Sequence, residues 1–185
     1  MYSKSSGLVV TEGPLQKLPC TAPGCNVLVT IGHPYCTKHL VEYYGVKIAP
    51  SQIPGAGNGL YTTKPLLAGS YIVPYIGEVI SDADFDKRYN SDGITAPYTV
   101  AEDDGTYIDA AYIRGVGATA NTQVSRHGMS LLRLCNSHLV DHPNSIYPVW
   151  LQARVDIAPG EEIYVFYGTE YRLKSSNHTT TLPHD

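Results

Sequence analysis

Charge is scarce in this chain. Asp, Glu, Lys and Arg make up 16% of its 185 residues, where about 25% is usual. Positive charge is the scarcer kind, with 13 Lys and Arg against 17 Asp and Glu, a net charge of −4. A broadly acidic surface is ill suited to wrapping a polyanion, so no direct nucleic-acid binding is expected, and a basic protein or peptide is the better-matched partner. Long apolar runs are missing as well. No stretch reaches the roughly 18 residues that read as a membrane span, and Met1 to Gly7 is polar, with no signal core. No membrane association is expected, and a reducing intracellular compartment, nucleus or cytoplasm, is the default. Internal repeats are absent. Phe and Trp are rare, at 2 and 1, whereas Tyr numbers 15.

Other features are plentiful. Hydrophobic residues reach 43%, which excludes a charge-solvated disordered chain. Gly (17) and Pro (13) together force frequent turns and favour short strands over long helices. The chain divides into a lead-in over 1–16, a cysteine-rich segment over 17–45, a β-rich body over 46–171 and a polar tail over 172–185. Within the body, Val46 to Ile48 alternates as a strand, and Ile53 to Gly59 is a glycine loop leading into a second strand. Tyr71 to Ile80, bent by Pro74 and Gly77, reads as two short strands. Ser81 can cap a short helix through Tyr89. Tyr98–Ala101 and Thr106–Asp109 flank a hairpin turn, Asp103-Asp104-Gly105. Val149 to Val155 and Glu162 to Tyr167 are late strands around the Ala158-Pro159-Gly160 turn. The fold class is mainly β.

Four cysteines could form two disulfides, but a reducing compartment disfavours them. Three of them, with a histidine, read Cys20-x4-Cys25-x10-Cys36-x2-His39. Two short-spaced pairs joined by a loop suit a tetrahedral zinc ion, and four protein ligands make such a site closed and structural. A short helix from Thr37 to Tyr44 would aim Cys36 and His39 inward. His33 is a rival fourth ligand, and three ordinary buried thiols are the plain alternative. Cys135, inside an apolar run, reads as core.

Three further segments carry chemistry. Gly55-x-Gly57-x-Gly59 opens no helix and is followed by no Gly-Lys-Ser/Thr, so it is neither a dinucleotide fingerprint nor a phosphate loop. Its glycines allow a backbone to approach a flat ligand. Arg114 to Gln123 is rich in small residues and contains Asn121, a polar group needing partners in a crowded place. Ala158 to Gly168 combines a Pro-Gly turn, two acids and an aromatic strand ending in Tyr167-Gly168.

Together and in this order, these segments resemble the SET-domain protein lysine methyltransferases. Ser51-Gln52-Ile53-Pro54-Gly55-Ala56-Gly57-Asn58-Gly59-Leu60-Tyr61 is similar to that family's opening signature. Ile76-Gly77-Glu78-Val79-Ile80 and Tyr107-Ile108-Asp109-Ala110 match its next two steps. Gly117 to Asn121 stands at its asparagine motif, and Gly160 to Gly168 resembles its closing Gly-Glu-Glu-Leu-x-x-x-Tyr-Gly. The resemblance covers about 46–171. It implies a β-clip of small sheets with a C-terminal pseudoknot, here with a small N-terminal zinc knuckle. It implies S-adenosylmethionine and a lysine in a protein or peptide, a histone tail or another basic protein, as co-reactants. Carried over by position, Gly57, Asn58 and Gly59 would lie against the cofactor through their backbone, and Asn121 would bond its amino-acid part. Tyr167 would be the catalytic tyrosine, and Tyr98 would face both cofactor and lysine channel.

Departures from the family pattern are plain. Its Asn-His-Ser/Cys is here Asn121-Thr122-Gln123, and Val124 to Ser145 is an unusual stretch. Val165, two before the tyrosine, replaces a larger aromatic side chain and points to di- or trimethylation. No cysteine follows Gly168, so Tyr171 or the tail would cover the channel. Two readings of other classes stand beside an active enzyme: a SET-like module that binds peptide or cofactor without transfer, and a zinc-knuckle interaction protein with an unrelated β body. A hydrolase built on Cys135 with His138 or His142 is poorly supported, because nothing in the sequence activates that thiol.

Overall fold

The computed structural model describes residues 17–30, 34–89, 96, 98–124 and 131–168. The lead-in 1–16, His33, Tyr171 and the tail 172–185 lie outside the described residues.

Strand β1 (Lys17–Pro19) pairs antiparallel with β2 (Leu28–Thr30). Helix α1 (Thr37–Tyr44) follows, starting after Cys36 and stopping at Gly45, whose φ of 69° is a left-handed cap. The Gly45 N–H closes onto Leu40 and Val41 carbonyls. β3 (Val46–Pro50) and β4 (Asn58–Thr62) pair antiparallel with Ile48 opposite Leu60. The expected break in the next run is there: β5 (Tyr71–Pro74) and β6 (Glu78–Ser81) are separate strands in separate sheets. Ser81 caps α2 (Asp82–Tyr89), its Oγ accepting the Asp84 N–H at 3.2 Å. β7 (Thr99–Ala101) and β8 (Thr106–Asp109) form the expected hairpin, held at its turn by the Asp104 carboxylate on the Thr106 N–H at 2.9 Å.

The late chain departs from the sequence expectations in three places. A strand β9 (Ser137–Asp141) lies within the unusual stretch, where no strand was expected, and pairs with β10 (Val149–Ala153), which stops two residues short of Val155. β11 is only Glu162–Ile163, beside β4. Beyond it the backbone leaves the ladder and takes other partners. Tyr164 bridges Asn121 and Val165 bridges Ser137, both in parallel. The Val165 N–H donates to the Asn121 carbonyl at 2.8 Å, and the Ser137 N–H to the Tyr164 carbonyl at 3.0 Å. The segment is thus held between two parts of the chain distant from it, as a C-terminal pseudoknot demands.

Three small three-stranded sheets, β5-β10-β9, β11-β4-β3 and β6-β8-β7, enclose one core. The two-residue period of a strand sends Val149, Leu151 and Ala153 inward and leaves Trp150 and Gln152 half-exposed. Leu60, Val73, Ile108, Leu151, Ile163 and Val165 meet there. In β6-β8-β7, Glu78 stands opposite the fully buried Asp109, a like-charge pair across strands. Arg88 of α2 resolves it, donating to Glu78 at 3.0 Å and Asp109 at 2.8 Å, while the Tyr89 hydroxyl reaches Asp109 at 2.7 Å.

A second cluster, Cys20, Ala22 and Cys36, sits apart from the main core. Helix α1 joins the two. Cys36 precedes its first residue, whereas Leu40, one turn on and 3% exposed, belongs to the main core. Leu40→Ala is expected to lower unfolding free energy by about 2–4 kcal/mol, measured by denaturant titration. A loss below about 1 kcal/mol would mean that α1 is not anchored in this core.

Candidate functional site

The site is organised around a carboxylate. Glu162 opens β11 opposite Tyr61 of β4 and is 2% exposed. A buried charge without donors would cost several kcal/mol. Five donors meet this one. The Ser51 hydroxyl donates at 2.6 Å, the Gln52 N–H at 2.7 Å, the Tyr164 hydroxyl at 2.9 Å and the Asn121 amide at 3.3 Å, while the Tyr61 hydroxyl, 3.1 Å away, shares its proton with the nearer Pro50 carbonyl at 2.6 Å. Burial alone would push the carboxyl up, but these bonds, Ser51 and Gln52 foremost, outweigh it and hold the group below its ordinary value. The Tyr61 and Tyr164 hydroxyls are shifted the other way, by burial first and by Glu162 second, so both remain donors at neutral pH.

This carboxylate draws the expected glycine loop and asparagine together. Gly59 is buried, and a Cβ there would lie 2.8 Å from Glu162 Cδ and 3.3 Å from Asn121 Nδ2. Only glycine lets the three approach. Gly57 and Asn58 are exposed; Gly57, at φ 74°, accepts the Ser51 N–H at 2.8 Å through its carbonyl. Asn121 Nδ2 donates to the Asn58 carbonyl at 2.9 Å as well as to Glu162. Both neighbours are acceptors, which fixes the amide with its nitrogen toward them. Its oxygen Oδ1 then meets no donor among the described residues. An acceptor of that kind, beside an exposed glycine backbone, fits the ammonium end of an amino-acid ligand.

Tyr167 is half-buried, and its hydroxyl donates to the Ala120 carbonyl at 2.7 Å, one residue from Asn121. Its proton is therefore committed to that bond. Tyr98 stands in a different group. Its carbonyl accepts the Tyr75 hydroxyl at 2.9 Å and the Ala110 N–H at 2.9 Å, and the Arg114 guanidinium lies over its ring at 3.6 Å. Asn58, Gly59, Asn121 and, through Ala120, Tyr167 are thus brought together, with Tyr98 tied to its own corner. Sequence reasoning passed over Glu162 as a site residue. The signal was there: a carboxylate opening an otherwise apolar and aromatic strand must find donors.

The four expected metal ligands also converge. The ligand atoms of Cys20, Cys25, Cys36 and His39 all lie within 4.8 Å of one another. His39 Nδ1 is 3.3 Å from the sulfur of Cys20 and 3.3 Å from that of Cys36, and the Cys25 and Cys36 sulfurs are 4.0 Å apart. A tetrahedral ion at ordinary zinc bond lengths sets S···S edges of about 3.7 Å and S···N edges of about 3.5 Å. For Cys20, burial would push the thiol up, but the Cys36 and Ala22 N–H groups and the His39 ring bring it down to about 6, favouring the ligating thiolate. Glu42 lies 3.9 Å from His39 Nε2, where it can orient the ring. Cys135 is buried beside Thr122, 3.7 Å away, as core.

Comparisons with known proteins bear on the family and the fold. The family model described as "SET domain" matches residues 57–168. The histone-lysine N-methyltransferase, H3 lysine-36 specific, of Yarrowia lipolytica is 33% identical over 75 residues, 39% of this chain and 10% of that protein. The histone-lysine N-methyltransferase EZH2 of Chaetomium thermophilum is 23% identical over 134 residues, 68% of this chain and 8% of that protein. Among solved structures, ctPRC2 in an autoinhibited conformation bound to S-adenosylmethionine superposes with a TM-score of 0.53 at 22% identity, covering 69% of this chain and 16% of that one. The chain therefore spans about a tenth or less of the curated relatives' length.

Because the folded Glu162 carboxyl releases its proton more readily than the unfolded one, its contribution to stability is complete above the ordinary value of 4.5 and is lost as pH falls below it. Glu162→Gln leaves the Gln52 N–H facing an amide and should cost about 1–3 kcal/mol at neutral pH. The gap to the parent protein should shrink at about pH 3, as denaturation curves at the two pH values would show. An equal gap at both would remove the charge from the account.

Proposed function

The chain belongs to the SET-domain family, and we propose that it is an S-adenosylmethionine-dependent protein lysine N-methyltransferase acting on histone tails or another basic protein. The observation that carries this reading is that Asn121 joins the glycine-loop backbone to one buried carboxylate, while the Ala120 carbonyl beside it receives the Tyr167 hydroxyl. Two relatives are named as histone-lysine N-methyltransferases, and a similar structure is bound to S-adenosylmethionine. The acidic balance of the chain suits a basic substrate. In this reading residues 46–171 are the catalytic domain, and the protein works in the nucleus or cytoplasm.

The cofactor supplies a methyl group on a sulfonium for in-line displacement. The chain's task is then alignment and exclusion of water. Asn121 Oδ1 receives the ammonium of the methionyl part, and the open backbone at Gly57 and Asn58 lies against the cofactor, with no Cβ at Gly57 to hold it off. Tyr167, its hydroxyl hydrogen-bonded to the Ala120 carbonyl, would orient the substrate lysine amine so that its lone pair faces the methyl group. The amine must be neutral to attack, and a desolvated channel beside a cation lowers its pKa. Tyr98 forms part of the channel wall. Val165 is smaller than the aromatic side chain the family carries at that position, and on that ground the reading extends to di- or trimethylation.

Calorimetric titration with S-adenosylmethionine tests the reading. One-site binding is expected, weakened in Asn121→Ala by about 1–3 kcal/mol. Tyr167→Phe should bind the cofactor and fold normally yet lose most methyl transfer to a basic peptide; parent-level rates in this variant would remove the assigned role.

The Cys20, Cys25, Cys36 and His39 cluster is assigned to a structural zinc ion in a knuckle over 17–45. About one zinc per chain is expected by metal analysis, with Cys36→Ser losing both metal and thermal stability. A metal content near zero in the parent protein would overturn the assignment.

A further inference from the structure

Arg114, packed on Tyr98, has no carboxylate partner among the described residues. Arg88 is matched by Glu78 and Asp109, and Arg154 donates to the Leu132 and Cys135 carbonyls at 2.6 and 2.8 Å. Arg114 is different. Its Nε donates to the Ala110 carbonyl at 3.0 Å, and its guanidinium carbon lies over the Tyr98 ring, 3.6 Å from the centroid. Among the described residues its two terminal nitrogens meet no acceptor, and no carboxylate oxygen lies within 4.0 Å.

The side chain is nonetheless fixed. It is half-buried. Its backbone is pinned on one side by Ala110, whose N–H donates to the Tyr98 carbonyl, and on the other by the Gly115 N–H on the Ile76 carbonyl at 2.9 Å. A Cβ on Gly115 would sit 2.6 Å from Ile76 Cβ, so this corner is close-packed. From Arg114 the chain runs through the short turn Val116–Thr119 to Ala120 and Asn121, the two residues that hold Tyr167 and Asn58. A permanent cation is thus held at the head of the segment that builds the site, with its hydrogen-bonding fork open. It also covers one face of Tyr98, which is then closed to a methylated ammonium.

Resting on the methyltransferase reading, we propose that Arg114 is an anion-receiving residue of the site, whose terminal N–H groups take a carboxylate from a bound molecule. Two sources offer that chemistry: the α-carboxylate of the cofactor's methionyl part, and an acidic side chain next to the substrate lysine. A planar fork matches a carboxylate bidentately, and the bound anion offsets a cation that otherwise repels both sulfonium and ammonium. If the second source applies, Arg114 sets substrate specificity, selecting lysines that have an acidic neighbour.

The test uses two ligand pairs on the full chain, its Arg114→Gln variant and its Arg114→Lys variant. One pair is S-adenosylhomocysteine and its carboxamide, compared by calorimetry. The other is a basic lysine peptide with Asp beside the lysine and the same peptide with Asn, compared by kcat/KM. In one pair, Arg114→Gln should weaken the carboxylate member by roughly tenfold to a hundredfold and leave the neutral member unchanged. Arg114→Lys should restore part of the loss, since it keeps the charge and not the fork. The pair that responds identifies the source. Equal losses for charged and neutral members, or no loss in either pair, would overturn the proposal, and Arg114→Lys serves alone if Arg114→Gln does not fold. If the parent protein binds neither S-adenosylhomocysteine nor peptide, the functional reading fails and this proposal with it; if it binds both and ignores position 114, only this proposal fails.

Discussion

A buried carboxylate has to be surrounded, and the architecture around Glu162 follows from that demand. Its donors come from the segment before the glycine loop (Ser51, Gln52), from β4 (Tyr61), from the asparagine segment (Asn121) and from the threaded strand (Tyr164). No local propensity would bring these together. In a medium of low polarity each bond to the charge is stronger than in water, and each missing one is more costly. The arrangement is therefore cooperative: moving any one segment leaves a donor or the charge unsatisfied. Its consequence for the site is orientation. With Nδ2 of Asn121 directed at Glu162 and Asn58, the oxygen has only one way to face.

Asp109 plays the same part in the neighbouring sheet, with a different solution. It is fully buried, yet its charge is met by a guanidinium as well as by neutral donors, because Glu78 stands directly across the ladder and would repel it. The Ala111 N–H at 2.9 Å completes the set and fixes the start of the segment that leads through Arg114 to Asn121. The two hubs hold opposite ends of one stretch of chain. Between them lie the small residues that let this stretch pass close to β5 and to Ile76. Helix α1 extends the same rigidity to the N-terminal cluster, since one turn separates Cys36, of the proposed metal site, from a core residue, Leu40.

Much of this was legible in the sequence wherever the cause was local. Both helices, the β5/β6 break and the β7–β8 hairpin follow from caps, prolines and turn residues that act over a few positions. The convergence of Cys20, Cys25, Cys36 and His39 was legible by spacing, because a tetrahedral centre would constrain how closely its ligands follow one another. β9 was not. Ser137 is fully buried while His138 and Val140 are half-exposed, so its polarity runs against the usual alternation. It exists because β10 offers it a partner. The short β11 was misjudged for a related reason: Tyr164 to Phe166 are extended, but their hydrogen bonds go to Asn121, Asn136 and Ser137 and not to a ladder neighbour. Threading is a relation between distant segments and leaves no local pattern. Glu162 fell between the two cases, visible as an odd charge but without visible partners.

The absence of a histidine after Asn121 bears on how the asparagine segment is held. That role can be filled by the backbone, and here it is. The Asn121 carbonyl receives the Val165 N–H at 2.8 Å, which locks the segment to the threaded strand whatever side chain follows. The following residue, Thr122, is 8% exposed and lies against Cys135 at 3.7 Å, so its place is one of packing, and a compact side chain fills it. On the other side, the Ala120 carbonyl receives the Tyr167 hydroxyl. Three consecutive residues thus each serve a separate contact: Ala120 orients the tyrosine, Asn121 joins loop and strand, and Thr122 closes the core. Without an imidazole in this segment, the bonds that position Asn121 and Tyr167 are still made, as the proposed transfer reaction requires.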